Sequence, residues 1–348
     1  MPKTLRNMYD KKLTLENLYN AHIRASKHKS NRREVLIFNE DLETNLINVL
    51  LSLKKGTYRP GNYHVFKIYE PKERIIKSLP YKDRIVQQWY IEEFIKPYFY
   101  PRFISDTYAC LDNKGTHKAV KKVQYYMKIK HRVNDKFYVL KCDIHKYFYN
   151  IDKDILFNII KSKIKDKKIL ELTKIIIYSD DDSKKGIPIG NYTSQYFANI
   201  YLSLLDDYIK EKLNIKYYVR YMDDFVIILN NKEECQFVKE KINYFITNNL
   251  LLEFNPKTRY YPRKMGINFC GYRIYETHIL IRNSSKIKIK KDLKKWQKLK
   301  SKDKLDIKKW KHHLIHGMRM LVMLIRIILL KKLIIYTKAS KTYSLIYK

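Results

Sequence analysis

Two adjacent carboxylates, Asp223 and Asp224, interrupt a run from Tyr217 to Leu229 that is otherwise aromatic, β-branched and apolar apart from Arg220. Residues of this kind favour pleated strands, and an Asp pair suits a tight turn. The run therefore reads as a β-hairpin with both acids at or beside its tip. Adjacent carboxylates repel each other and resist desolvation, so a half-buried hairpin of this kind calls for a cation between them. A hard divalent ion such as Mg²⁺ takes carboxylate oxygens and keeps positions for water and phosphate. By itself the run fits a surface turn equally well. A third carboxylate and a nucleotide pocket elsewhere in the chain would separate the two readings.

The sequence carries 72 Lys and Arg against 35 Asp and Glu, a formal net charge of +37 spread along 348 residues. AT-rich coding explains the preference for Lys over Arg, but not the excess of bases over acids. A polyanionic partner, with nucleic acid first among them, is the simplest account. The four cysteines, Cys110, Cys142, Cys235 and Cys270, are scattered without zinc spacing, as expected of free thiols in a reducing cytoplasm. The N-terminus lacks the apolar core of a signal peptide. The longest apolar run, Leu321 to Ile335, is broken by Arg326, Lys331 and Lys332, so no membrane span is expected.

Residues 1–55 carry Leu13, Leu15, Leu18 and Ile23, then Leu42, Leu46, Val49, Leu50 and Leu53, at helical spacing, with a stop at Lys54-Lys55-Gly56. Tyr63 to Lys77 reads as a basic hairpin around the polar turn Glu70-Pro71-Lys72-Glu73. Asp83 to Tyr98 is helical in pattern, and a second helix starts near Thr116. Phe137 to Asp143 is a short strand ending in an acid. Helices follow at about 153–165 and 168–178, a rigid turn at Gly186 to Asn191, a long helix from Thr193 to Leu213, and another from Glu233 to Asn249. Strands are expected near 251–254, 259–262, 267–275 and 278–282, and a Lys-rich helical remainder from about 286.

Asp143 supplies the third carboxylate, on a strand separate from the Asp223-Asp224 hairpin. Two-metal nucleotidyl transfer needs acids that converge from separate elements, because the metals clamp both the attacking and the leaving oxygen of an in-line displacement.

Five motifs in order now carry a resemblance. Tyr221-Met222-Asp223-Asp224 resembles the Tyr-x-Asp-Asp signature of reverse transcriptases. Leu140 to Phe148 resembles that family's first carboxylate motif, and Gly186-Ile187-Pro188-Ile189-Gly190-Asn191-Tyr192-Thr193-Ser194-Gln195 its nucleotide-pocket loop. Asn268-Phe269-Cys270-Gly271-Tyr272 resembles the primer grip. Tyr108-Ala109-Cys110 with Gly115 to Ala119 resembles a template-side motif of bacterial members. The match spans about residues 56–282.

The resemblance implies an α+β right-hand polymerase with an antiparallel palm sheet and a helical thumb, copying RNA into DNA from a DNA or RNA primer. Its parts would be an N-terminal helical extension at 1–55, fingers at 56–136, palm at 137–282 with a finger insertion near 153–192, and thumb at 283–348. Asp143, Asp223 and Asp224 would bind two Mg²⁺ ions, with Mn²⁺ as a substitute. Phe148 would exclude a ribose 2′-hydroxyl. Lys72 and Arg74 would reach the triphosphate of the dNTP, Ile189 and Gly190 would line its pocket, and Lys257 would lie near the pyrophosphate. Lys72, Arg74 and Lys257 fit exposed basic turns nearly as well, and Phe148 fits core packing.

Within the family, Ile189 and Ser194-Gln195 resemble diversity-generating retroelement enzymes and their antiviral relatives. Group II intron enzymes commonly have Gln and Ser-Pro there. The retroelement branch goes with low fidelity at adenines and with a small accessory protein or structured RNA as partner. The absence of a maturase-like extension or nuclease cluster argues against a complete intron protein, and damage to the thumb would leave a non-catalytic RNA-binding relic. Sequence character also changes abruptly at Leu314. One codon choice for Ile315 to Ile325, read from its third base, gives Ser-Trp-Asn-Ala-His-Ala-Ser-Asp-Ala-Asn, so a frameshift near residue 314 is expected; the alternative is a genuine amphipathic helix.

Overall fold

The computed structural model describes residues 5–69, 73–180 and 183–287, with 290, 291 and 294. The expectations for Lys72, for most of the thumb and for the tail from 314 lie outside the described residues.

Four helices open the chain: α1 (Tyr9–Lys12), α2 (Leu15–Ser26), α3 (Arg33–Glu40) and α4 (Leu42–Lys54). A hairpin of β1 (His64–Ile68) and β2 (Arg74–Ser78) follows, then α5 (Tyr81–Tyr90), α6 (Lys96–Phe99) and α7 (Thr116–Val133). The expected single helix over 83–98 is thus two helices joined by a wider π turn at Ile91–Ile95. Next come β3 (Tyr138–Asp143), α8 (Tyr147–Asn150), α9 (Lys153–Lys163), α10 (Lys167–Ile177) and α11 (Tyr192–Asp207). The chain then forms β4 (Tyr218–Tyr221), β5 (Asp224–Leu229), α12 (Lys232–Leu250), β6 (Arg259–Pro262), β7 (Ile267–Phe269), β8 (Tyr272–Ile274) and β9 (Ile279–Ile281). The strand expected at 251–254 is a single bridge between Phe254 and Ile144.

Local sequence sets the helix starts. Asp152, Asp166, Asn231 and Thr14 each accept a backbone N–H of the first turn they precede, satisfying donors that would otherwise be orphaned. Asp166 also accepts the N–H groups of Met8 and Tyr9, at 2.8 and 3.1 Å, so one carboxylate caps α10 and anchors the N-terminal segment.

Among the described residues three antiparallel sheets form, and the central one has strand order β4-β5-β3-β6. Side chains alternate across it. Leu140, Cys142, Phe225 and Ile227 join a large core with the N-terminal helices, α5 and α9 to α12. Val139, Val219, Val226 and Ile228 join a smaller core on the other face with α7 and the β7-β8-β9 sheet. Both faces of the sheet are therefore covered, and its strands are held on two sides.

The N-terminal helices share the larger core. Trp89 of α5 is fully buried with its ring against Tyr9, and its indole N–H donates to the Lys12 carbonyl at 2.9 Å. Burial of such a ring stabilises by roughly 1.5–3 kcal/mol. His22 of α2 is buried beside Phe38, with Nδ1 2.9 Å from the Tyr81 hydroxyl of α5.

Burial holds the His22 imidazole below its ordinary value near 6.5. The unfolded chain then binds more protons than the folded one on the acid side, so this group's contribution is present above about pH 6.5 and lost as pH falls below it. We expect the melting temperature of the wild type to fall between about pH 7.5 and about pH 5.5 more steeply than that of His22→Gln. Parallel slopes in the two proteins would refute the assignment.

Candidate active site

The hairpin expected from the Asp-Asp run is present, with both acids at its tip. Tyr221 pairs with Asp224, leaving Met222 and Asp223 as a two-residue loop. Met222 has φ +59°, a left-handed conformation that a bulky residue adopts at a cost of about 1–2 kcal/mol. Asp143, the last residue of β3, lies directly across from Asp224 on β5. Cross-strand partners share a face, so these two carboxylates emerge together, on the side of Val139 and Val226. Asp223 follows one residue before, in the loop.

The backbone of Asp143 is clamped. Its carbonyl accepts from Asn255 N–H at 2.8 Å and from Thr258 Oγ1 at 3.2 Å. The same hydroxyl lies 3.2 Å from the Asp143 N–H. Lys257 stands in that short loop with an exposed side chain, its N–H donating to Asn255 Oδ1 at 3.1 Å.

The electrostatics are those of crowded acids. Burial, and next the charge of Asp143, push the Asp223 carboxyl above its usual range, while Lys141 and Arg74 oppose that rise. Lys141, on the same face of β3, forms an ion pair with Asp224 and lies 5.7 Å from the centroid of Phe269. Burial pulls its ammonium below the ordinary lysine value, against the pull of Asp143. Arg74, exposed at the start of β2, contributes only a minor opposing charge. Among the described residues, no three carboxylate, imidazole or thiolate groups stand gathered as a finished metal cage. Asp224 is engaged by Lys141 instead. The oxygen-only donor set and the mutual repulsion nevertheless fit a hard divalent cation.

Phe148, on α8, is half-buried, and its ring meets Tyr147 edge-on at 5.7 Å. Its carbonyl accepts from Ile187 N–H at 2.9 Å, which seats the 186–190 loop against α8. The other side of the loop meets β2, where Lys77 N–H donates to the Ile189 carbonyl at 2.9 Å. Gly190 makes this approach possible. Its φ is +123°, and a Cβ there would fall 2.8 Å from Ile76 Cγ2 and 2.9 Å from the Lys77 carbonyl oxygen. Side chains brace the same junction: Lys77 and Lys153 reach Asp180 at 3.1 and 3.0 Å, and Asn191 donates to the Tyr63 hydroxyl at 2.9 Å.

The 267–275 expectation resolves into β7 and β8 around Cys270-Gly271. Both loop residues have positive φ, +49° and +84°, the pattern of a type I′ turn. Phe269 and Tyr272 are buried, and the Tyr272 hydroxyl lies 3.1 Å from His117 Nε2 on α7. Their rings serve the core, leaving the turn as the part that faces outward. Tyr108 N–H donates to the Arg220 carbonyl at 3.0 Å, so the Tyr108-Ala109-Cys110 segment runs along the edge strand of the Asp223-Asp224 hairpin.

Residues 54–274 match the family described as reverse transcriptase (RNA-dependent DNA polymerase). The chain belongs to that family. A group II intron-encoded protein, LtrA, of Lactococcus lactis subsp. cremoris is 25% identical over 73% of this chain and 52% of its own length. Protein YkfC of Escherichia coli K12 is 23% identical over 64% of this chain and 69% of its own. A telomerase from Candida albicans, solved with a fragment of telomeric RNA, covers 65% of this chain and 46% of its own, with 13% identity and a TM-score of 0.49. The chain spans about half the length of LtrA. The family is one of right-hand polymerases that use divalent metals, and β4-β5-β3-β6 is its palm sheet. The retroelement-type branch suggested by Ile189 and Ser194-Gln195 is not established by these relatives.

Sequence reasoning missed two features of this reverse transcriptase site. One is Lys141. The other is the set of buried polar groups behind the turn: Arg220, Asp206, Asn199 and Tyr218. Arg220 had a signal, since an arginine alternating with buried residues in a strand requires a buried acid. Asp206 lies 14 positions away, and only the fold pairs them.

The close approach at Gly190 yields a prediction. Gly190→Ala should lower unfolding stability by about 1–3 kcal/mol, through backbone strain and displacement of β2. Gly56→Ala, at φ +70° with open space around the added Cβ, should cost only the strain of about 1 kcal/mol. Equal losses in denaturant titrations of the two variants would show that the β2 contact contributes nothing.

Proposed function

We propose that this chain is an RNA-directed DNA polymerase that extends a DNA or RNA primer along an RNA template, with Asp143, Asp223 and Asp224 as ligands for two Mg²⁺ ions. The observation that carries this reading is the convergence of three carboxylates from two neighbouring strands at one end of the palm sheet, with Asp143 and Asp224 in cross-strand register. A relic that merely bound RNA would have no use for that crowding, in which burial first and the charge of Asp143 next raise the Asp223 carboxyl's pKa.

Divalent cations, when bound, neutralise charge on the attacking and leaving oxygens of the displacement. The chain's own residues do the rest. Lys141 releases Asp224 as the site loads. Arg74, delivered by the fingers hairpin, contacts the incoming triphosphate, for which a guanidinium offers paired donors. Ile189 and Gly190 hold the nucleotide edge of the pocket against β2, and Phe148 fills the space that a 2′-hydroxyl would need. Lys257, exposed beside the clamp on Asp143, meets the departing pyrophosphate. The Cys270-Gly271 turn of the Phe269 to Tyr272 hairpin supports the primer end. Lysines supply the sequence-independent attraction for nucleic acid. Replacement of the usual Gln by Ile189 removes a polar group near the template base. It supports copying with reduced fidelity at adenines, as in a diversifying or defence retroelement.

The direct test is dTTP incorporation on poly(rA)/oligo(dT) with Mg²⁺ or Mn²⁺. Wild type should incorporate, and Asp223→Asn should lose about 10³-fold or more, the scale of several kcal/mol of charge stabilisation. Incorporation that survives the substitution would sink this assignment of the centre. In the same assay Phe148→Ala should raise rUTP use relative to dTTP by about tenfold or more, a steric discrimination of 1–3 kcal/mol. An unchanged ratio would return Phe148 to the core alone.

A further inference from the structure

Behind the catalytic turn, on the face of β4 opposite Val219 and Tyr221, a single side chain gathers three parts of the molecule. Arg220 is fully buried. Its Nε and one terminal nitrogen fork onto Asp206 of α11 at 2.7 and 2.5 Å. The other terminal nitrogen donates to Asn199 Oδ1 and to the Met222 carbonyl, both at 3.1 Å. Asp206 is completed by the Tyr218 hydroxyl at 2.7 Å, and Asn199 donates onward to the Ala109 carbonyl at 2.8 Å. The backbone of Arg220 is tied as well: its N–H donates to the Asp106 carbonyl at 2.9 Å, and its carbonyl accepts from Tyr108 N–H.

Stability alone does not account for this arrangement. A desolvated ion pair adds little net stability, since the loss of hydration offsets the attraction, and apolar residues of similar volume often serve as well. What a planar fork adds is direction. Two of its donors are fixed by Asp206 on the long helix that follows the nucleotide-pocket loop. The remaining nitrogen is thereby aimed at the Met222 carbonyl, the first peptide of the two-residue turn. That peptide carries Asp223, and its orientation sets where the Asp223 side chain leaves the backbone. The strained φ of Met222 is held at the same point.

We propose that Arg220 is a positioning residue of the polymerase site: anchored by Asp206, it holds the Met222 carbonyl, fixes the direction of the Asp223 carboxylate, and ties that direction to the 106–110 segment. The proposal rests on the reading of the three acids as a metal-dependent centre. A lysine at this position could pair with Asp206 but could not fork on it and reach Met222 together.

The test uses the full chain and two variants. Arg220→Lys keeps the charge. Arg220→Met with Asp206→Leu and Tyr218→Phe replaces the polar set by apolar groups and leaves no buried charge unpaired. Three readouts are taken: melting temperature, kcat and KM for dTTP on poly(rA)/oligo(dT), and Mn²⁺ affinity of the protein alone by electron paramagnetic resonance titration. Folded variants should lose about 10²-fold in kcat, the penalty of a misplaced reacting group. The KM for dTTP should stay within about twofold and Mn²⁺ binding should weaken about tenfold, as one ligand loses its aim. A folded variant with wild-type kcat and wild-type Mn²⁺ affinity overturns the proposal. If the triple variant does not fold, Arg220→Lys decides. If the wild type itself incorporates nothing, the polymerase reading fails, and the Mn²⁺ titration still decides whether Arg220 aims Asp223.

Discussion

Mutual repulsion of carboxylates is the constraint on which the rest of this structure depends. Asp143, Asp223 and Asp224 meet at one end of a sheet, half-buried, and burial together with the charge of Asp143 opposes ionisation of Asp223. Left to relax, such groups would turn apart toward solvent. They are held because the strands beneath them are packed on both faces, by the large core on one side and by α7 with β7-β8-β9 on the other. Their geometry is thus a property of the sheet, while their energetic conflict is what the proposed divalent ions would relieve. Lys141 relieves part of that conflict from within the chain by its ion pair with Asp224.

The loop that resembles the family's nucleotide pocket follows a different logic, that of close backbone approach. Loop 186–190 lies between α8 and β2 and is bonded to both through peptide groups. Such bonds are insensitive to side-chain identity, which leaves Ile189 free to vary while Gly190 is not: its Cβ would enter the space of β2. The β1–β2 hairpin is therefore fixed to this loop at Lys77 and Ile189, and Arg74, at the start of the same strand, inherits that placement.

Much of this was legible in the sequence because the relevant signals are local. Alternation and β-branching gave the Asp-Asp hairpin, and helical periodicity gave α2, α4, α7, α9, α10, α11 and α12 within a few residues. Composition pointed to a polyanion. Less was legible where an outcome depends on distant partners. The stretch 251–254 has strand-like residues, yet only Phe254 finds a neighbour, at Ile144. The 83–98 helix contains a π turn that no local pattern marks. Phe269 and Tyr272 lie in the stretch that resembles the primer grip, and their burial by the sheet's alternation and the packing of α7 has no local mark in the sequence. Lys141 and Arg220 each stood beside a recognised motif, and their roles emerged only once Asp224 and Asp206 were brought to them.

The two faces of the central sheet differ by the period of a strand. Because side chains alternate, Asp143 and Asp224 point to one side while Tyr218 and Arg220 point to the other. The acids need a face that nucleic acid can approach, and their support needs one that water cannot. The turn residue Met222 belongs to neither strand, and it is strained by about 1–2 kcal/mol. Glycine would remove that strain, but it would also add backbone freedom at the residue that carries Asp223's peptide, and would lose the packing of the Met222 side chain on the larger core. A half-buried Met, with its carbonyl bonded to a guanidinium that is itself fixed by Asp206, exchanges a little stability for a turn with one conformation. For the centre proposed above, whose chemistry would be positioning and charge, a turn with one conformation is the more useful of the two.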